Sequence, residues 1–368
     1  PIRGTRCAVA EKAYAARLGS KRRSNVGHRR PGHGARTVPV RTQASMPRTV
    51  IQGQSEISAS WLSRVLKQRV ERFQVVPGHG NWSRQLTIHA HLADGSASAL
   101  RLKICLGDTF GRSEVDYYTR DYIGMHDAPI VLCLDAQYEP SVGYHLLLED
   151  LEPSHRDRRD VDPSMAHGLA VAQSLGRMHR HHWESMGAPA EASLNRYFDE
   201  VRPGVAAIES ALGVPMRDRF ERHERAFRER WAQPLGMSLL HGDSNPTNIL
   251  TPNSAEAPVY FLDRQPFDWS LTYGVAAWDL AYFMIPWWPE PLRLECEATV
   301  LRHWYETLDA PGYSWEQAKA DWRLSVEQCL SVPLEWCSKP ATLESMRWLW
   351  EVQLARVENA IASQNSGA

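Results

Sequence analysis

No stretch of this chain reaches 18 consecutive apolar residues, so no segment is long enough to cross a bilayer as a helix. The most apolar stretch, Leu271 to Trp288, is interrupted by Asp279 and Pro286 and reads as a buried helix. Cysteine is scarce. The six cysteines are scattered and none forms a C-x-x-C pair, which argues against a disulfide framework and suggests a reducing, cytoplasmic compartment. Charge of one sign is missing too: 42 Lys and Arg stand against 43 Asp and Glu. With 43% hydrophobic and 23% charged residues, the composition excludes collagen-like, fully disordered and coiled-coil chains. There is no internal repeat.

The near-neutral total conceals an asymmetry. Residues 1–45 carry eleven Lys or Arg and a single acid, Glu11. They show no hydrophobic periodicity and cannot bury enough apolar surface to fold alone, so 1–49 is expected to be a disordered basic extension. Three readings of it stay open: an organelle transit segment, a nucleic-acid arm, or sequence upstream of a start at Met46. The regular signals that begin just after Met46 favour the third. The rest of the chain is acidic, so nucleic acid is not an expected partner.

At 368 residues the chain suits two domains or two lobes. Residues 55–70 read as a capped helix with Ile57, Trp61, Leu62, Val65 and Leu66 on one face. Strands are expected at 73–76, 84–92, 98–106, 130–138 and 143–148, with a helix at 113–123. In the third strand Leu100, Leu102 and Ile104 alternate with Arg101, Lys103 and Cys105. The period then turns helical. Helices are expected at 163–183, 194–211, 216–231, 275–285, 291–308, 315–330 and 343–361, and short strands at 238–240 and 259–262. This is an α+β chain: a sheet-rich lobe over 50–149 and a helical lobe over 150–363.

The segment richest in chemistry is LLHGDSNPTNILTPNSAEAPVYFLDR, residues 239–264. Asp243 follows an apolar strand, Asn248 comes five residues later, and Asp263 ends the next strand. A hairpin would gather the three at one mouth. Two carboxylates and an amide oxygen are hard donors that suit Mg²⁺, which keeps several waters and takes phosphates as partners. Phosphoryl transfer needs this set: one carboxylate to take a hydroxyl proton, the other groups to hold metal against phosphates. Asp243 alone would read equally well as a turn residue. The histidines 155, 167, 179, 181 and 182 cluster in the sequence, but 179, 181 and 182 do not share one helix face, so no zinc site is expected.

The loop His241-Gly-Asp-x-x-x-x-Asn248 resembles the catalytic loop of the aminoglycoside phosphotransferase, choline kinase and ecdysteroid kinase-like superfamily. Leu146-Leu-Leu-Glu-Asp-Leu151 is similar to that family's linker between lobes, Leu175-Gly-Arg-Met-His179 to its first large-lobe helix, and Asp279-Leu-Ala-Tyr-Phe283 to the helix after the metal-binding Asp. The resemblance implies a two-lobed protein-kinase-like fold and ATP-dependent transfer to a hydroxyl of a small molecule. It implies Asp243 as base, His241 as a brace, and Asn248 and Asp263 as Mg²⁺ ligands. Lys103 would contact phosphate and pair with Glu114, with Asp116 as the rival. The turn Gly78–Arg84, with Asn81 and Ser83, would cradle phosphate, and backbone groups from Glu149 through Leu151 to Glu152 would bond adenine. The family keeps its acceptor pocket near Trp269, Trp278, Trp287 and Trp288, though tryptophans at helical spacing are more often core, and Asp268 reads either as a contact for a cationic acceptor or as an exposed loop acid. Two residues depart from the pattern. Arg264 follows the metal-binding Asp, to contact phosphate or substrate or to face solvent, and Arg101 stands where a small apolar residue is usual. A nucleotide-binding pseudokinase that acts as an interaction module is the alternative.

Overall fold

The computed structural model describes residues 49–366 except 79, 81–82, 153, 157–161, 186–189, 255–256 and 268. The expectations for 1–45, Asn81 and Asp268 lie outside the described residues. The chain forms two compact units. One holds Pro252–Asp268 and the residues up to His155, and the other holds Arg156–Thr251 and Trp269–Ala368.

The first unit is built on a five-stranded antiparallel sheet: β1 (Val70–Pro77), β2 (Arg84–Leu92), β3 (Ala97–Leu106), β4 (Cys133–Glu139) and β5 (Gly143–Glu149). Their order is β1-β2-β3-β5-β4. The period of two seen in β3 decides its faces. Leu100, Leu102 and Ile104 enter the core, which puts Arg101, Lys103 and Cys105 on the opposite face.

Helix α1 (Ala59–Leu66) closes the core with Trp61, Leu62 and Val65. It is shorter than the expected 55–70. Ser58, not Ser55, caps it by accepting from the Trp61 N–H, and Lys67 ends it in the left-handed region at φ 56. Val70 is already paired with Leu92 in the sheet. A buried polar chain ties this helix to the sheet. The Trp61 indole donates to Asp135 at 3.0 Å, the Ile51 N–H donates to His145 Nδ1 at 2.9 Å, and His145 Nε2 faces the same Asp135 oxygen at 3.4 Å.

The helix expected over 113–123 is regular only in α2 (Ser113–Asp116), after which Tyr117–Asp121 widen into a π turn. The wide turn turns three tyrosines inward. Tyr117, Tyr118 and Tyr122 are all buried, with ring centroids 4.9 and 5.5 Å apart across the two pairs.

The second unit is helical: α3 (Met165–His181), α4 (Glu191–Val201), α5 (Pro203–Leu212), α6 (Arg217–Trp231), α7 (Ala277–Met284), α8 (Glu290–Leu308), α9 (Trp315–Gln328), α10 (Ser331–Cys337), α11 (Pro340–Ser345) and α12 (Arg347–Ser366). Two short strands, β6 (Met237–Leu239) and β7 (Tyr273–Val275), pair antiparallel within it. The helix expected over 194–211 divides at Arg202, because Pro203 has no N–H to continue the ladder and starts α5 instead. The helix expected to run to Leu330 stops at Gln328 and is followed by α10, which the sequence reading did not anticipate. The last expected helix divides into α11 and α12 around Met346. No described helix is long and apolar enough to cross a membrane.

Candidate active site

In the sheet unit the chemistry centres on Lys103. Its ammonium lies 2.8 Å from both carboxylate oxygens of Glu114 and 2.9 Å from Asp263 Oδ1. Strand β3 supplies the lysine, α2 the glutamate, and the residues after the short extended segment Tyr260–Phe261 the aspartate. The Lys103 and Glu114 side chains are 7% and 0% exposed and Asp263 is 41% exposed, so the cluster is sealed on one side and open on the other. Tyr144 on β5 donates its hydroxyl to Glu114. Burial works against the Lys103 charge, but Asp263 and Glu114 outweigh it and hold the ammonium above its usual range. Burial pushes Glu114 upward although Lys103 pulls the other way.

Asp116, the sequence rival of Glu114, pairs instead with Arg112 and Arg120. Asp263 adopts φ 55, a left-handed conformation rare for a residue with a side chain. Strain of that kind concentrates at functional sites. Arg264 is turned inward: it is 2% exposed, ion-paired with Asp121, and its guanidinium lies 5.8 Å from the Tyr117 ring centre. The solvent-facing reading is thereby corrected. Tyr117 and Asp121 hold it in place, a packing role that the linear sequence could not display. Arg101 also has a local use, binding Asp150 at 3.2 Å and pairing with Glu152.

In the helical unit the loop after β6 is held from below. The buried Asp279 on α7 accepts the N–H groups of His241 at 2.7 Å and Gly242 at 2.8 Å. Its own carbonyl accepts from the Ser244 hydroxyl at 2.6 Å. Gly242 has φ 77, a turn that favours glycine. His179, at the end of α3, completes the support. The Trp304 indole is donor-only and donates to His179 Nδ1 at 3.1 Å, so the proton sits on Nε2 and points at Asp279, 3.1 Å away. Burial alone would raise Asp279, but the hydrogen bonds from His179 and the Gly242 N–H outweigh it and hold the carboxyl below its ordinary value. Sequence reading placed Asp279 in a motif but gave it no part in the site.

Asp243 is presented by this braced loop. Oδ1 accepts from Asn245 Nδ2 at 2.8 Å and Oδ2 from Asn248 Nδ2 at 2.9 Å. The Tyr282 hydroxyl on α7 also bonds it, and Tyr282 is itself stacked on Trp278 at 5.4 Å. A second carboxyl, Glu335 on α10, lies close enough to interact with Asp243. Burial first, and the charge of Asp243 second, push it up to about 8. Nothing in the sequence signalled Glu335, since no element was expected between residues 330 and 343.

The raised Glu335 predicts a pH effect. The folded state keeps its proton to about 8, whereas the unfolded chain loses it near 4.5. Its contribution to stability is therefore full below 4.5 and declines as pH rises through that window. Glu335→Gln, which stays neutral, should melt close to the parent in acid and increasingly above it as pH approaches 8. Parallel melting curves across the range would contradict this.

The other expected site residues are placed as follows. The Ser83 hydroxyl accepts from Gln85 at 2.7 Å. The N–H groups of Glu149, Asp150 and Glu152 already donate within the protein, to Leu132, Ala99 and the Asp150 side chain. The Leu151 carbonyl accepts from the Ser154 and His155 N–H groups. Trp269, Trp278, Trp287 and Trp288 are all buried, which suits packing better than an open pocket wall. Among the described residues no group of three or more His, Cys, Asp or Glu could hold a metal alone. His155 and His167 are bonded to Pro258 and Thr251 instead.

No family model matches the chain, and no characterised protein matches it in sequence. Solved structures do resemble it. One is a Thermobifida fusca protein assigned as a fructosamine-3-kinase, 15% identical, covering 83% of this chain and 100% of that one with a TM-score of 0.46. Another is an aminoglycoside-3'-phosphotransferase of type VIII, 19% identical, covering 73% and 98% with a TM-score of 0.46. A third is an ethanolamine kinase from Plasmodium vivax, 12% identical, covering 77% and 81% with a TM-score of 0.48. All three are small-molecule kinases by name. With TM-scores below 0.5, these likenesses carry none of the functional reading.

Proposed function

We propose that the protein transfers the γ-phosphoryl group of ATP to a hydroxyl of a small molecule. The observation that carries this reading is the Lys103 cluster. A strand lysine is oriented by one buried carboxylate, Glu114, and one exposed carboxylate, Asp263. Phosphoryl transfer calls for such a cation to face phosphate oxygens and such an acid to hold metal.

Asp243 is the base. Its carboxylate is fixed by two amides and a phenol, so it meets an acceptor hydroxyl without reorganising. The donor set fits Mg²⁺. Asp263 would supply a carboxylate, and Asn248, whose amide nitrogen donates to Asp243, would supply its carbonyl oxygen. A bound Mg²⁺ would supply charge that offsets the phosphates. His241 braces the loop through its backbone N–H. The free cysteines among the described residues suit a reducing, cytoplasmic setting.

The test is a thermal-shift titration with Mg·ATP beside an acceptor screen that follows ATP consumption. Saturable binding with turnover on some hydroxylated acceptor supports the reading. Binding without turnover across a broad library favours an interaction module instead. Lys103→Met removes the cation and leaves Glu114 buried without its partner. It should cost about 3–5 kcal/mol in urea unfolding and abolish the ATP-induced shift. A variant that binds ATP like the parent would remove Lys103 from the site.

A further inference from the structure

A cavity of about 600 Å³ lies in the helical unit among α6, α9 and α12, within the size range of small-molecule sites. Its lining shares no residue with the Asp243 loop. We propose that it binds a small zwitterion with an apolar body, of the kind of an apolar α-amino acid.

Three observations lead there. The first is His223, which lines the cavity and is 2% exposed. Both of its ring nitrogens are buried without a hydrogen-bond partner. The nearest acid, Glu327, stands 3.7 Å from Nδ1, too far for a hydrogen bond. An imidazole always carries at least one N–H, and leaving it unsatisfied costs about 1–3 kcal/mol. A leucine at 223 would carry no such cost. A ligand polar group in the cavity supplies the missing partner.

The second is the charge pattern. Arg219 and Glu358 neutralise each other at 3.2 Å. Arg222 and Glu327 line the same cavity yet form no ion pair with one another. An anion alone would satisfy Arg222 and face Glu327, and a cation alone would do the reverse. A molecule carrying both charges satisfies both, the carboxylate at Arg222 and the ammonium at Glu327. The third is the remaining wall. Leu330 and Ile361 contribute apolar surface, which suits an apolar side chain between the two charged ends.

Isothermal titration calorimetry on the full chain tests this independently of any phosphotransfer. The probes are L-leucine, L-methionine and L-phenylalanine, beside 4-methylpentanoate and 3-methylbutylamine, which each keep one charge of leucine. At least one amino acid should bind saturably, and each single-charge analogue about tenfold or more weaker, the equivalent of one lost charged contact. Arg222→Ala and Glu327→Gln should each weaken binding about tenfold or more on the same grounds. His223→Leu should lose binding while melting, unliganded, at or above the parent temperature. If that variant fails to fold, the two surface variants decide. The proposal is overturned if none of the three amino acids gives saturable heat, or if Arg222→Ala and Glu327→Gln bind like the parent. It is also overturned if His223→Leu melts higher and still binds, since ordered water would then be the histidine's partner.

Discussion

Asp243→Asn should lower acceptor-dependent turnover by on the order of 10² to 10⁴, the usual loss for a removed acid–base group, with ATP affinity nearly unchanged. The geometry adds a condition. Both carboxylate oxygens accept from amide donors, Asn245 and Asn248. An asparagine at 243 necessarily turns its own NH₂ toward one of them, so the variant should also lose about 1–3 kcal/mol of stability. Asn245→Ala separates the two effects, since it removes one donor to the carboxylate, together with the cap on the Thr247 N–H, and keeps the base. It should cost about 1–3 kcal/mol and far less turnover than Asp243→Asn. Steady-state kinetics below both melting transitions, with urea unfolding alongside, checks the pair. Near-normal turnover in Asp243→Asn would remove Asp243 as base. Equal turnover losses in the two variants would mean that loop geometry, not proton transfer, sets the rate.

Asp279→Ala should be the most destabilising single change in the helical unit. One fully buried carboxylate satisfies the N–H groups of His241 and Gly242 and the Nε2–H of His179. Removing it leaves three buried donors without their acceptor, a loss of about 3–5 kcal/mol by analogy with a broken buried pair. The effect has a pH signature. The Asp279 carboxyl is held below its ordinary 3.8, so its contribution is present above that value and lost as pH falls through the folded one. Parent and variant stabilities should therefore converge in strong acid. Urea midpoints measured from neutral pH downward test this. A neutral-pH loss below about 1 kcal/mol, the net worth of a single ordinary hydrogen bond, would mean that water replaces the carboxylate. Trp304→Phe is the gentler probe: it frees His179 Nδ1 and lets the ring change tautomer without touching the aspartate.

Local chemistry was legible where it depends on neighbours in the chain. The alternation in β3 set Lys103 apart from the core face, because side chains on a strand point alternately. The spacing from Asp243 to Asn248 set an amide beside a carboxylate, because one loop carries both. Helix ends were less legible: Ser58 and not Ser55 caps α1, and Pro203 breaks a segment whose apolar pattern runs on.

What lay beyond reach were the relations between distant segments. Arg264 was open between phosphate, substrate and solvent and is buried against Asp121 and Tyr117, partners more than a hundred residues earlier. Asp279 and Glu335 are ordinary acids in the sequence. One becomes the anchor of a loop and the other a proton-retaining neighbour of Asp243 only because α7 and α10 fold onto that loop.

By itself the sequence determined the types of chemical group, their order, and the periodicities that place lysine 103 on one face of a strand and aspartate 243 on a glycine turn. These follow from bonded geometry and nearest-neighbour sterics. Only the tertiary structure decided which acid meets the lysine, which carboxylate carries the loop and which keeps its proton. Burial and charge–charge distance set those outcomes, and neither exists until the chain has closed on itself.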